Sequence, residues 1–325
     1  MSSARVVALG EILAEFVAEE PSGAPGGGHA RTGRYLGPFP SGAPAIFVEQ
    51  AARCGARAAM VGGVGADGFG RLALERLRAA GVDLGGVRVD PARPTGVAFV
   101  AYDASGAREF VFLIEGSAAT EMGAPGAEWL GAGAVLHLSG SSLGIPAIRA
   151  RAMATLRAHR AAGGEVSFDP NVRPELMREP AARAALREAV AAAGILLPSL
   201  EDLEGLHPGL APEAAVARML EGRARVVALK RGAAGALVAS RDEWVDLPGH
   251  AVEAADPTGA GDGFGGTLVA LLAQGAPLAS AARRANAAGA LSVRRVGPME
   301  GNSDLARIDA FLKGGGARSG AALGD

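Results

Sequence analysis

The run Asp256-Pro-Thr-Gly-Ala-Gly-Asp262-Gly-Phe264 lies between a strand-like stretch, Trp244–Val252, and a predicted helix, Gly263–Gln274. Its small residues Gly259, Ala260 and Gly261 let the backbone approach a ligand with several N–H groups aimed at one point. The helix N-terminus behind them adds a partial positive charge, so the run predicts a strong anion-binding site. Asp262 falls in the first turn of that helix, where the dipole is expected to keep its carboxylate ionised and able to accept a proton.

Two interpretations of this run follow from its residues. In the first, Asp262 caps the helix and the glycines make a tight turn, which is a purely structural arrangement. In the second, the anion site and the carboxylate serve phosphoryl transfer, which requires charge stabilisation on the moving phosphoryl group and a base for the attacking hydroxyl. The full run is more specific than a glycine turn with a capping acid, and it favours the second interpretation.

The composition is that of an ordinary globular protein: 325 residues, 49% hydrophobic and 20% charged, with a formal net charge of −2. This balance gives no electrostatic footprint for nucleic acid or an anionic membrane, so neither is expected as a partner. The single cysteine, Cys54, allows no internal disulfide and fits a reducing cytoplasm. His and Cys show no metal-ligand spacing and no targeting segment is visible, so we predict a cytoplasmic protein without zinc chemistry.

Short aliphatic runs alternate with amphipathic stretches of helical period along most of the chain. The strand-like runs are 5–10, 58–64, 134–139, 165–169, 195–198 and 225–229, and the helical stretches include 69–80, 145–162, 183–193 and 212–222. Near-continuous apolar strands separated by helices are typical of a parallel sheet covered on both faces. The sequence therefore predicts an α/β fold with a doubly wound, mainly parallel sheet, in a single domain over residues 1–313.

Two regions interrupt this alternation. Residues 96–114 contain two strand-like runs around a turn at 103–106 and predict an antiparallel hairpin. Residues 11–17 add a further strand, whereas 20–40 is rich in Pro and Gly and is predicted to be a loop. Segments of about 11–40 and 95–115 are together expected to form a small β-sheet lid. The tail 314–325 has no apolar period and is predicted to be disordered.

The run at 256–264 resembles the C-terminal signature of the ribokinase-like (PfkB) carbohydrate kinases. Further matches follow the family's order along nearly the whole chain: Gly10-Glu11, Ser41-Gly-Ala-Pro-Ala45, Val61-Gly-Gly-Val-Gly-Ala-Asp67-Gly-Phe-Gly70, Phe168-Asp-Pro-Asn-Val-Arg173, Lys230-Arg-Gly-Ala-Ala-Gly235 and Ala285-Asn-Ala-Ala-Gly-Ala-Leu291. No single motif has to carry the assignment. The resemblance implies a ribokinase-like fold and an ATP-dependent carbohydrate kinase activity.

The resemblance also implies individual roles. Asp262 matches the family's catalytic base, and Gly259, Ala260 and Gly261 match its anion hole. The implied nucleotide-binding residues are Lys230, Gly232 and Gly235 in a loop after a strand, and Asn286, Ala287 and Ala290 on the helix beside the adenine. The implied substrate-binding residues are Glu15, Gly42, Asn171 and Arg173, to which the hairpin adds Arg108 as a side chain that can close over a sugar ring. The hairpin aromatics Phe110 and Phe112 are expected to pack within the lid.

Cofactors and partners are implied in the same way. ATP with Mg²⁺ is the expected cosubstrate, and Asp256 lies where the family places a contributor to a monovalent-cation (K⁺) site. Asp202, in Ser199-Leu-Glu-Asp202, stands for the Glu of an Asn-x-x-Glu motif linked to magnesium, although neighbouring Glu201 leaves the register open. The expected partners are a small-molecule sugar and a second copy of the chain, because an exposed hairpin edge can pair in a homodimer through the lid.

Two positions depart from the family's pattern at the sugar. Ile46 stands where the family has an Asn that hydrogen-bonds a sugar hydroxyl, a bond that Ile cannot make. Glu15 stands where many members have Asp; it can still accept from sugar hydroxyls, or it is a solvated strand-end glutamate. The acceptor is therefore open between a ketohexose such as fructose or tagatose, slightly favoured, and the keto-sugar acid 2-keto-3-deoxygluconate. Nucleosides and phosphorylated sugars are less favoured.

Rival readings of the sequence are weaker. The motif Gly63-Val-Gly-Ala-Asp-Gly68 fits a dinucleotide-binding fingerprint, but Asp67 inside it would repel a pyrophosphate, so a tight strand-to-helix turn is favoured. A Walker-type loop is absent, which excludes P-loop kinases. A non-catalytic sugar- or nucleotide-sensing protein on the same fold would be expected to lose Asp262 or the anion-hole glycines, and the chain keeps them.

Overall fold

The computed structural model describes residues 5–19, 33–103, 108–173 and 176–314. Its main sheet has nine strands, which from one edge to the other are β13 (Trp244–Leu247), β12 (Ala236–Ala239), β11 (Val226–Lys230), β10 (Ile195–Leu196), β9 (Glu165–Asp169), β8 (Ala134–Ser139), β1 (Arg5–Leu9), β4 (Arg57–Gly65) and β5 (Asp83–Asp90). Neighbours are parallel from β5 to β11 and antiparallel from β11 to β13. This confirms the predicted mainly parallel sheet.

Helices connect the strands and cover both faces. In chain order the described helices are α1 (Ala43–Arg53), α2 (Gly68–Ala79), α3 (Gly140–Leu143), α4 (Pro146–Ala161), α5 (Pro180–Ala192), α6 (Leu200–Leu206), α7 (Pro212–Glu221), α8 (Ala260–Ala273), α9 (Leu278–Ser292) and α10 (Leu305–Lys313). The central strand shows the two-layer arrangement: Val7 and Leu9 lie in the core beneath α4, α5 and α7, whereas Val6 and Ala8 lie in the core beneath α1, α8 and α9. The sheet is therefore doubly wound, as predicted.

A separate four-stranded sheet forms the lid. Its strands, in spatial order, are β3 (Tyr35–Ser41), β2 (Leu13–Ala18), β6 (Gly96–Tyr102) and β7 (Arg108–Leu113). The pair β2–β6 is parallel, and β6–β7 is the predicted antiparallel hairpin, although part of its turn, 104–107, lies outside the described residues. Pairing of β2 with β3 is antiparallel, so the prediction of a loop throughout 20–40 is wrong at 35–40. Gly37, Pro38 and Pro40 suggested a loop, but an edge strand tolerates proline because its outer N–H groups have no partner in the sheet.

Two further predictions concern membrane-spanning helices and the C-terminal tail. Among the described residues, no helix has the length and apolar character needed to cross a membrane. The tail predicted to be disordered lies outside the described residues, apart from Gly314.

Several of the predicted site residues lie at or just after the carboxyl ends of the parallel strands. Residues that follow β1, β8, β9 and β11 meet the lid and the N-terminus of α8 at this edge. In open α/β sheets this is where ligands bind.

Candidate active site

The anion hole is built on a left-handed glycine. Gly259 is the N-cap of α8 and has φ 77°, a conformation that L side chains rarely adopt. A Cβ at this position would lie 2.2 Å from the Pro298 carbonyl oxygen. Because both the φ angle and the space require glycine, the backbone can present the amides of Gly259 and Gly261 at the helix N-terminus, where an anion is stabilised. The Ala260 amide lies beside them and makes a long hydrogen bond, 3.4 Å, to the Pro257 carbonyl oxygen.

Asp262 lies half-buried in the first turn of α8. No hydrogen bond to its carboxylate is made by the residues that the structure describes, so it is not the helix cap that the structural interpretation required. Burial raises the pKa of Asp262 to about 7, and the nearby Asp169 adds to the rise, while Lys230 and Arg173 oppose it. At this pKa the carboxylate is only partly ionised near neutral pH, although the helix dipole favours its ionised form. A carboxyl group with this pKa is suited to accept a proton at neutral pH.

A lysine–aspartate pair lies directly beside the anion hole. Lys230, the last residue of β11, donates from Nζ to Asp169 Oδ2 at the end of β9. Asp169 is 2% exposed and its pKa is raised by burial, with Lys230 opposing the rise. A Cβ built on Gly261 would lie 3.3 Å from Lys230 Nζ, which places the ammonium group against the hole. Lys230, a predicted nucleotide-binding residue, thus lies beside the start of α8.

The Asn171–Arg173 segment follows the strand that carries Asp169. Asn171 has φ 37°, which is uncommon for a residue other than glycine, and its Nδ2 donates to Ser139 Oγ at 3.0 Å. The Arg173 guanidinium lies 5.6 Å from the ring centre of Phe110 in the lid. Burial lowers the pKa of Arg173 and the positive charge of Arg108 lowers it further, whereas Asp262 raises it. The structure thus brings both predicted arginines to the side of the site that holds the predicted base.

Glu15 points into this site from β2. It is 3% exposed, so the solvated alternative for this residue is wrong. Its Oε2 accepts from Ser41 Oγ at 2.7 Å, whereas Oε1 is buried with no hydrogen-bond partner among the described residues. Burial raises its pKa to about 7, the Ser41 hydrogen bond lowers it, and Asp256 raises it. A buried, unpartnered oxygen of this kind is ready to bind a hydroxyl group of a ligand.

Gly42 and Ile46 shape the neighbouring wall. Gly42 has φ 104°, and a Cβ there would lie 2.3 Å from the Glu11 carbonyl oxygen, so glycine is required between Ser41 and α1. Ile46 is 3% exposed and packs in the core beneath α1. Ile46 therefore supplies no side-chain hydrogen bond to a sugar on this wall.

Asp256 is hydrogen-bonded by three protein groups. It is 1% exposed; Oδ1 accepts from Tyr102 Oη at 2.6 Å and from the Thr258 amide at 2.9 Å, and Oδ2 accepts from the Gly297 amide at 2.9 Å. These three bonds satisfy the buried carboxylate without a cation. The donor set does not fit the predicted monovalent-cation site, and no step below involves one.

Asp202 has a structural task that the sequence did not reveal. Its Oδ2 accepts from the Ser199 amide and hydroxyl in a capping box at the start of α6, and Oδ1 accepts from the Val172 amide at 2.8 Å. No group of three or more His, Cys, Asp or Glu side chains that could hold a metal is found within the described ranges. These bonds hold Asp202 in place at the start of α6, and its link to magnesium through a bound water stays a prediction.

The predicted nucleotide residues occupy one border of the site, with one exception. Gly232 and Gly235, with φ 57° and 96°, form the turn between β11 and β12. On α9, Asn286 donates to the Pro248 carbonyl oxygen at 2.9 Å, and Ala290 is half-buried. Ala287 is 0% exposed and packs in the core, whereas Asn286 and Ala290 are half-buried. The adenine contacts of this helix stay predictions.

The fold, with a glycine-rich helix start and Asp262 at the carboxyl edge of the sheet, is the one expected of a ribokinase-like carbohydrate kinase. The chain belongs to the pfkB family carbohydrate kinases, whose pattern matches residues 3–305. It is 34% identical to a fructokinase from Klebsiella pneumoniae over 80% of this chain and 87% of the relative. It is 32% identical to a 2-dehydro-3-deoxygluconokinase from Thermoproteus tenax over 95% of this chain and 94% of the relative.

A solved structure with a similar fold comes from Escherichia coli. It is described as a putative ribokinase II in complex with ATP and Mg²⁺, and it superposes with a TM-score of 0.83 at 37% identity, over 95% of this chain and 99% of that one. These findings confirm the ribokinase-like fold and the family that the motifs indicated.

Proposed function

We propose that the protein transfers the γ-phosphoryl group of ATP to a hydroxyl group of a keto-sugar or keto-sugar acid. The observation that supports this most directly is the position of Asp262, a carboxyl group with a pKa of about 7 beside the Gly259–Gly261 anion hole. In this reaction Asp262 accepts the proton of the attacking hydroxyl, and its conjugate acid later releases that proton to solvent. Membership of the carbohydrate kinases supports the reaction class, and the position and pKa of Asp262 support its role as the base.

Charge stabilisation is assigned to groups that are already in place. The 259–261 amides at the start of α8 and the Lys230 ammonium beside Gly261 are assigned to neutralise charge that develops on the transferred phosphoryl group. The nucleotide enters as its Mg²⁺ complex, in which the ion offsets phosphate charge. The turn at Gly232 and Gly235 and the surface of α9 near Asn286 are assigned to the nucleoside. The lid excludes water that would otherwise hydrolyse ATP.

The acceptor is assigned to the space between Glu15 and the two arginines. Glu15 Oε1 offers an acceptor for a sugar hydroxyl, and this feature suits a neutral ketohexose. Arg108 and Arg173 make no ion pair within 4.0 Å among the described residues, and this second feature suits the carboxylate of a keto-sugar acid. The ketohexose is the first candidate and the sugar acid the second.

A substrate panel tests the proposal. ADP release is measured with ATP and Mg²⁺ against ketohexoses, 2-keto-3-deoxygluconate, aldoses and nucleosides, after thermal-shift screening for nucleotide binding. We expect sugar-dependent ADP release with one of the first two groups. Nucleotide binding without ADP release for any sugar would instead support the sensing protein, and release only with nucleosides would support a nucleoside kinase.

We further propose that two copies associate through the outer face of the lid. The strand register places Phe16, Phe99 and Val111 on this face, and Val97 and Leu113 lie on it two residues away. Val111 is 42% exposed and Leu113 is 58% exposed, so an apolar surface faces outward on a sheet with two open edges. A second copy offers the same surface, as a two-fold interface requires.

Light scattering after size exclusion tests this dimer. The wild-type chain is expected to elute as a dimer, and Leu113→Asp is expected to convert most of it to monomer because a carboxylate would be buried in the interface. Leu210→Asp is the matched control, since Leu210 is 47% exposed but lies between α6 and α7, away from the lid. A wild-type monomer at all concentrations, or equal effects of the two variants, would contradict the proposal.

A further inference from the structure

Tyr102 joins the lid to the loop that carries the anion hole. It is the last residue of β6, and its hydroxyl lies 2.6 Å from Asp256 Oδ1 and 2.8 Å from Thr258 Oγ1. Asp256 and Thr258 stand three residues and one residue before Gly259, while Tyr102 is 154 positions from Asp256 along the chain. The contact is therefore a tertiary one between two parts of the molecule that phosphoryl transfer has to bring together.

Asp256 also accepts hydrogen bonds from two backbone amides near the start of α8. The same carboxylate holds the amides of Thr258 and Gly297. Gly297 is followed by Pro298, whose carbonyl oxygen leaves room for no side chain at Gly259. The Tyr102 hydroxyl thus completes a hydrogen-bonded node that fixes both walls of the left-handed turn at the start of α8.

The bond is strong on physical grounds. A short hydrogen bond from a hydroxyl to a buried carboxylate is charge-assisted, and such bonds are about twice as strong as neutral ones. Burial raises the pKa of Tyr102, and the charge of Asp256 raises it further, so the phenol stays a proton donor at neutral pH. The side chain lies in the part of the lid that also carries Arg108 and faces Glu15.

We infer that Tyr102 is a positioning residue for the anion hole, and that its hydroxyl supplies to Asp256 the partner that the family resemblance assigns to a monovalent cation. The inference rests on the proposed function for its kinetic part only. A lid that is out of place loses this bond, so correct closure over the acceptor and correct geometry of the 259–261 amides become one event.

The test compares Tyr102→Phe with Tyr35→Phe, the same change at the only other tyrosine, which packs 5.3 Å from Phe99 in the lid. We expect Tyr102→Phe to lower kcat about tenfold while KM for ATP changes by less than about twofold. The wild-type rate is expected to stay the same within about twofold when K⁺ is replaced by Na⁺ or tetramethylammonium at constant ionic strength. Tyr35→Phe is expected to behave as wild type.

A second readout does not depend on activity. Amide hydrogen exchange of residues 256–261 is expected to speed up about tenfold in Tyr102→Phe and to be unchanged in Tyr35→Phe, with both variants showing wild-type circular dichroism. Unchanged exchange or unchanged kcat in Tyr102→Phe overturns the positioning role, and several-fold activation of the wild type by K⁺ overturns the replacement of the cation. If the wild type releases no ADP with any sugar, the proposed function fails, and the exchange result alone decides the inference.

Discussion

Replacement of Asp262 by Asn is expected to lower kcat by about 10²- to 10⁴-fold, the usual contribution of a positioned general base. Asn keeps the size of the side chain and cannot accept the hydroxyl proton at neutral pH. Folding is expected to survive, because no described residue makes a hydrogen bond to this carboxylate. The measurement is sugar-dependent ADP release, with thermal unfolding of both proteins as the check on folding.

Asp304→Asn is the matched control for this change. Asp304 is the N-cap of α10, where its carboxylate accepts from the Arg307 amide at 2.8 Å. Its replacement is expected to leave kcat unaltered, with stability reduced by less than about 1 kcal/mol because Asn is also a good cap. Turnover of Asp262→Asn close to that of the wild type, with intact folding, would remove Asp262 from the role of base.

The pH profile follows from the same group. Only the deprotonated form of Asp262 can accept a proton, and its pKa is raised to about 7 by burial and by Asp169. The rate is therefore expected to fall as the pH is lowered through about 7 and to level off above it. A rate that holds constant down to pH 5 would show that the base titrates elsewhere or is another residue.

Replacement of Lys230 by Met is expected to have the second-largest effect, a loss in kcat of about 10²- to 10³-fold, as when one preorganised donor to the developing charge is removed. The Asp169 carboxylate then stays buried without its partner, which costs about 3 kcal/mol of stability. Since Lys230 lowers the pKa of Asp262, the acid limb of the pH profile is also expected to move to higher pH. Steady-state kinetics across pH and thermal unfolding measure these three effects.

Lys230→Arg separates charge from geometry. It keeps the positive charge near Asp169 and is expected to recover most of the stability and the position of the acid limb. The contrary result is a Lys230→Met variant that is less stable and yet keeps wild-type kcat and an unchanged pH profile. This result would show that Lys230 serves only a structural ion pair with Asp169.

The layered sheet could be predicted from the sequence because its strands are buried on both faces. Runs such as Ala134–Ser139 are fully buried and appear as continuous apolar stretches, and the helices between them keep a clear period. The edge strand β3 could not be found in this way. Its exposed residues and prolines look like a loop, and its pairing with β2 depends on contacts between distant segments.

In the candidate site, too, local features could be predicted from the sequence and contacts between distant segments could not. Asp262 and Gly259 belong to one local motif whose backbone geometry is encoded within a few residues. Partners that lie far apart in sequence could not be foreseen: the pairing of Lys230 with Asp169, the bond from Tyr102 to Asp256, and the capping box that occupies Asp202. The burial of Ala287 also depends on which face of α9 meets the sheet, which a motif does not specify.

The lid is built from two segments that are far apart in the sequence, and it is not a single continuous insertion. Its two central strands are β2 and β6, which run parallel to each other. β2 begins only three residues after β1 of the main sheet ends, and β6 follows β5, the edge strand of the main sheet. Engineering of substrate range by exchanging lids between kinases would therefore have to move residues 13–41 and 96–113 as a matched set. A graft of the hairpin β6–β7 alone would replace two of the four lid strands. The remaining strand β2 would then have to pair with a β6 to which its register is not matched.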